Sequence, residues 1–69
     1  MNWDQIEGNW KQFQGKAKQN WGKLTDNDIE RVEGRRGELL GLLQTHYGHE
    51  KETANREIDG WLKDLPIEL

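Results

Sequence analysis

The chain has 69 residues, 32% of them apolar and 33% charged, with a net charge of −3. So small and hydrophilic a chain holds one domain with a modest core, and having no cysteine it has neither a disulfide nor a thiolate metal site to staple it. No apolar run approaches the ~20 residues of a membrane helix, and "MNWDQIEGNW" lacks the basic-then-apolar order of a secretory signal, so the sequence predicts a soluble, cytoplasmic protein with no membrane span.

The first predicted element runs from Asn2 to Gly22. Its apolar residues, Trp3, Ile6, Trp10, Phe13, Ala17, Trp21 and Leu24, are spaced by 3, 4, 3, 4, 4 and 3 positions. At ~100° per residue they fall within a stripe of roughly 80°, which is a helical period and not an alternation. Asn2 is placed to cap this helix, with Asp4 in the first turn and Gln5 at the capping-box position. Glu7 and Lys11 stand as an i,i+4 pair, and Gly22 suits the position after the C-cap.

The second unit opens at "LTDNDIERVEG", where Thr25 is the N-cap and Asp28 follows three residues on. Ile29 and Val32 start an apolar stripe that continues through Leu39, Leu40, Leu43 and Tyr47. Gly34 and Gly37 are expected to break it into a short helix and a longer one, and Gly48 to end it. The last helix is expected from about Glu50 to Lys63. Ala54, Ile58, Trp61, Leu62 and Leu65 line one of its faces, Glu52–Arg56 and Asp59–Lys63 are supporting pairs, and Pro66 is its stop. There is no strand signal. The expectation is a single all-α domain over residues 1–69, a small bundle of four to five helices.

The two halves also resemble each other. Placing "IEGNWKQFQGKAKQNWG" over "VEGRRGELLGLLQTHYG" at an offset of 26 aligns Glu7 with Glu33 and Gly8, Gly15 and Gly22 with Gly34, Gly41 and Gly48. Ile6, Phe13, Ala17 and Trp21 then fall on Val32, Leu39, Leu43 and Tyr47. An internal duplication of a helical hairpin is the reading this supports, and it predicts both Phe13/Leu39 and Trp21/Tyr47 to be buried. The glycines themselves lie roughly 160–180° from the apolar stripes, which predicts that they are not notches into the chain's own core.

The phrases "EGNWKQFQGKAKQNWGKLT", "EGRRGELLG" and "LLQTHYG", followed by an acidic amphipathic helix, resemble the CsbD-like family of small bacterial proteins. The resemblance covers residues 1 to about 63, and the tail "LKDLPIEL" departs from it. It implies a small helical bundle of two packed hairpins, similar to the SAM-domain arrangement. It also implies a role in general stress responses, and it supplies no catalytic residue.

Read from the residues, each chemistry-bearing group has a structural reading beside its functional one. The four tryptophans sit on apolar stripes, so core placement is favoured over base stacking or membrane anchoring. Lys11, Lys16, Lys18 and Lys23 give residues 1–24 a charge of +2, against −2 for residues 25–49 and −3 for residues 50–69. They form no single ridge and accompany no DNA- or RNA-binding signature. His46, His49 and Glu50 are a minimal metal set, but Gly48 interrupts any helical spacing between them, and no metal or cofactor is expected. Thr25, Thr45, Thr53 and Tyr47 lack a nucleophile setting, and the glycine rows lack the spacing of a phosphate loop.

The sequence is therefore read as a non-enzymatic bacterial stress-response protein, either a soluble protectant or a small interaction module. Its partner is unidentified and a monomer is expected. Weak, non-specific nucleic-acid binding through the lysines is the alternative, though the acidic balance disfavours it. Lys11, Gly15 and Lys18 mark the candidate interaction face.

Overall fold

The stripe of the first segment does bury, but it does so on two helices. In the computed structural model, which describes residues 2–65, α1 spans Trp3–Gly8 and α2 spans Trp10–Asn20. The expected continuous helix breaks at Asn9, whose φ and ψ are −129° and 34°. Gly8 lowers the cost of leaving the helix. The Asn9 amide then donates to the Gln5 carbonyl at 3.0 Å, side-chain competition for a backbone acceptor that favours asparagine at helix ends. One expected feature is lost with this break: Glu7 and Lys11 sit on different helices and make no ion pair among the described residues. The Asn2 capping box forms as expected, with the Gln5 N–H donating to Asn2 Oδ1 at 3.1 Å.

The remaining helices are α3 (Asp26–Val32), α4 (Arg36–Tyr47) and α5 (Lys51–Asp64). Thr25 caps α3 through the reciprocal bonds with Asp28. Gly34 alone makes the break before α4, with Glu33 at φ 51° and Gly34 at φ 78°; Gly37 lies inside the first turn of α4. Gly48 closes α4 in the left-handed conformation, whereas Gly22 after α2 needs no positive φ. Pro66, the expected stop of the last helix, lies outside the described residues. Each helix packs against its neighbours in sequence, and there is no strand among the described residues.

At the offset of 26, Asn9 and Arg35 are both N-caps, and α2 and α4 start at Trp10 and Arg36. Phe13, Leu39, Ala17 and Leu43 are all buried. Trp21 is buried too, while Tyr47 is only half-buried.

The core is one cluster drawn from all five helices. It contains every apolar residue of the three predicted stripes except Trp3, Leu40 and Tyr47, which pack against it half-exposed. Tryptophans join its parts. Trp3 lies 6.1 Å from Trp10 and 6.3 Å from Trp61, and Trp61 meets Trp21 edge-on at 5.1 Å between ring centroids. Three indole N–H groups leave the apolar cluster satisfied. Trp10 donates to the Ile29 carbonyl at 2.9 Å, Trp3 to the Gly34 carbonyl at 2.7 Å, and Trp21 to Glu57 Oε1 at 2.9 Å. Between α4 and α5, Arg36 bridges Asn55 and Asp59, the latter at 2.8 Å. Asp59 is thereby committed to Arg36, and the expected Asp59–Lys63 pair does not form; Glu52–Arg56 does, at 2.7 Å.

Glycine roles divide sharply. Gly34 is buried, and a Cβ there would come within 2.9 Å of the Glu7 Cα and carbonyl oxygen. This corrects the expectation that no member of the glycine rows is a packing notch: α1 rests directly on the α3–α4 turn. At Gly8, Gly15, Gly22, Gly41 and Gly48 an added Cβ would meet nothing within 4 Å. In dilute solution, Gly15→Ala and Gly41→Ala should each stabilise the fold by up to ~1 kcal/mol, raising Tm by about 4–8 °C per kcal/mol. Gly34→Ala should instead lose about 1–3 kcal/mol or more, from backbone strain and the clash with Glu7. Thermal unfolding of the three variants followed by circular dichroism checks both signs; a less stable Gly15→Ala would mean that its face is packed.

Candidate interaction face

Lys11, Gly15 and Lys18 recur at i, i+4 and i+7 along α2, one face of a helix. The structure gives them unequal freedom. Lys11 and Gly15 are exposed. Lys18 is half-buried, and its ammonium donates to the carbonyls of Gly22, at 3.2 Å, and Leu24. It thus ties down the turn that follows α2, where a cation also complements the helix dipole. Of the two lysines on the face, only Lys11 is free.

This face forms one wall of a groove against α3. Trp10, Lys11, Gln14, Glu30 and Glu33 line a cleft of about 310 Å³. It adjoins a second, of about 290 Å³, lined by Gln14, Gly15, Lys18, Asp26, Ile29 and Glu30. The floor is apolar, from buried Trp10 and Ile29. The walls carry opposite charge: lysine on α2, and Asp26, Glu30 and Glu33 on the α3 side. Lys11, Asp26 and Glu30 have no ion-pair partner among the described residues, and Glu33 reaches Arg35 only at 3.8 Å. A phosphate backbone drawn to Lys11 would lie beside the Glu30 and Glu33 carboxylates. Sequence reasoning missed this wall, although its signal was there: acids at 26, 30 and 33 repeat the spacing of 11, 15 and 18.

The other chemistry-bearing residues are turned to the fold. His46 Nε2 lies 3.2 Å from Asp28 Oδ2. His49 stacks on Tyr47 with ring centroids 5.5 Å apart, and its Nε2 is 2.8 Å from Glu57 Oε2. That contact is close but not along a hydrogen-bonding direction, so the buried Nε2 has no directed partner. The two histidines therefore meet different carboxylates, and among the described residues no three His, Cys, Asp or Glu side chains group as a metal site. The Tyr47 hydroxyl accepts from the Lys23 N–H at 3.1 Å, and the Lys23 ammonium lies 5.1 Å from the Tyr47 ring centroid. Glu57, which takes both the Trp21 indole and His49, had no distinguishing mark in the sequence.

The fold moves the titration of Asp28. Hydrogen bonds from the Thr25 backbone N–H and then the Thr25 side chain hold its carboxyl below the ordinary value of 3.8; burial opposes this, and His46 and Arg31 add to it.

These features define a small all-α bundle whose tryptophans and histidines make contacts within the fold, with an open groove of divided charge between α2 and α3. The chain belongs to the CsbD-like family, whose model matches residues 4–56. It is similar to a UPF0337 protein of Pectobacterium atrosepticum, 57% identical over 61 residues, 88% of each chain. The UPF0337 protein YjbJ of Escherichia coli is 51% identical over 61 residues, again 88% of each. A UPF0337 protein of Rhodopseudomonas palustris is 49% identical over 65 residues, 94% of this chain and 98% of the relative. No helix among the described residues is long and apolar enough to cross a membrane.

Because Asp28 has a lowered pKa in the folded state, its contribution is present above pH 3.8 and lost as pH falls through the lower folded value. Wild type should exceed Asp28→Asn in stability near neutral pH, with the difference narrowing as pH falls below 3.8; denaturant titrations from neutral to acid pH measure it. Toward DNA, the divided groove predicts weak binding that falls steeply with salt. Fluorescence anisotropy showing submicromolar affinity at physiological salt, abolished by Lys11→Ala plus Lys18→Ala, would contradict this reading.

Proposed function

We propose that this chain is a non-enzymatic stress-response protein that works as a soluble, polar protectant of other macromolecules. One observation carries the reading: most of the aromatic, histidine and hydroxyl groups that could do chemistry or recognise a base make contacts within the fold. Three indole N–H groups cap carbonyls or a carboxylate, both histidines face structural carboxylates, and the Thr25 and Tyr47 hydroxyls accept from the backbone. The exposed residues are mostly charged or uncharged polar, with glycine among them, in a chain of mean hydropathy −1.15. A surface of that kind keeps its water of hydration when water becomes scarce. Membership of the CsbD-like family, with the stress association that the resemblance implies, supports the same reading, and the proposal places the protein in the cytoplasm.

Nucleic-acid binding is the weaker reading. Lys11 and Lys16 are exposed, but Lys18 is tied to carbonyls and the acid wall faces Lys11.

The protectant role predicts that a labile oligomeric dehydrogenase, dried or freeze–thawed with this protein, recovers more activity than with an equal mass of an unrelated small globular protein. Equal recovery in both would refute it. A pull-down from stressed cells that returns one stoichiometric partner would instead favour an interaction module.

A further inference from the structure

We infer that the groove between α2 and α3 is a self-association surface that takes a second copy of this chain, paired about a twofold axis running along the groove. The argument begins with the division of charge. A surface of one sign repels its own copy, whereas a patch used twice in a twofold dimer must complement itself. Here Lys11 stands on one wall and Asp26, Glu30 and Glu33 on the other, above an apolar floor. A rotation about the groove axis exchanges the walls, so α2 of one copy lies over α3 of the other. It leaves position along the groove unchanged. Lys11 shares its cleft with Glu30 and Glu33 and so comes opposite Glu30 and Glu33 of the second copy, twice per dimer.

The break at Asn9 has freed Lys11 from Glu7, and neither Lys11 nor Glu30 is ion-paired among the described residues. Each charge is therefore available to the other copy. Gly15, midway along the α2 wall with nothing within 4 Å of an added Cβ, lets the opposing helix come close. A nucleic acid or another single-sign polymer would be attracted by one wall and repelled by the other. A second copy satisfies both, which makes it the occupant of choice. Self-pairing at the groove stands whether or not the chain protects other proteins.

The contact is small, so association is weak, with a dissociation constant of about 0.1–1 mM. The chain is then a monomer in dilute solution and pairs as it becomes concentrated. Sedimentation of the full chain in low salt at about 10 μM and about 1 mM should show a shift from monomer toward dimer, reversed by ~1 M salt. Lys11→Glu and Glu30→Lys, both at exposed positions, should each weaken self-association about tenfold or more while keeping the helical circular dichroism. Mixing the two variants in equal amounts should restore pairing as a heterodimer. The two substituted side chains, now of opposite charge, then meet at one contact, and the unchanged Lys11 and Glu30 meet at the other. The double variant should self-associate like wild type. A wild type that stays monomeric at about 1 mM in low salt, or a mixture that fails to pair, would overturn the assignment. So would a Lys11→Glu chain that dimerises as well as wild type.

Discussion

The hydrogen bond from the Trp10 indole to the Ile29 carbonyl, 2.9 Å and buried, is the contact on which the arrangement of the first three helices depends. At seven residues, α3 is far too short to be stable alone, and its last carbonyls lack helical partners. Glu30 and Val32 recover partners from the turn that follows, through the Glu33 and Arg35 N–H groups. Ile29 is served by Trp10, a side chain from another helix. One residue thus fills the core between α2 and α3, satisfies its own N–H, and gives the Ile29 carbonyl a partner. It also sets the floor of the groove, so the spacing of the charged walls follows from the same contact.

The tryptophans extend this logic across the molecule. A chain with a third of its residues apolar must take more buried area from each position, and an indole removes on the order of 200 Å² from water, worth about 5 kcal/mol at ~25 cal/mol per Å². The cost is a polar N–H carried inward, which must find an acceptor. Trp3 uses the carbonyl of Gly34, in the turn that α1 packs against. Trp21 uses Glu57, which also holds His49 and so anchors the start of α5. Burial and polar satisfaction are solved together, and little aromatic surface is left for a ligand.

Charge and glycine then decide what the outside can do. Interior glycines weaken a helix without improving its packing, and Gly15 and Gly41 do so where there is open space. A fold weakened in this way is compatible with the protectant role proposed above, and the groove is the surface proposed to meet a second copy. Both proposals rest on the bundle's exterior.

The sequence by itself determined the helical class, the capping boxes at Asn2 and Thr25, the left-handed stop at Gly48, and nearly the whole core. Those features depend on local chemistry and on a period, both of which are written along the chain. Lys11, Gly15 and Lys18 were legible as one face for the same reason. Tertiary structure alone decided the need for Gly34 against Glu7 and the acceptors of the indoles. It also set Glu30 and Glu33 across from Lys11, and Asp26 across from Gly15 and Lys18. Each of these joins residues on different helices or turns, and no spacing along a single helix specifies what stands on the other side of a groove.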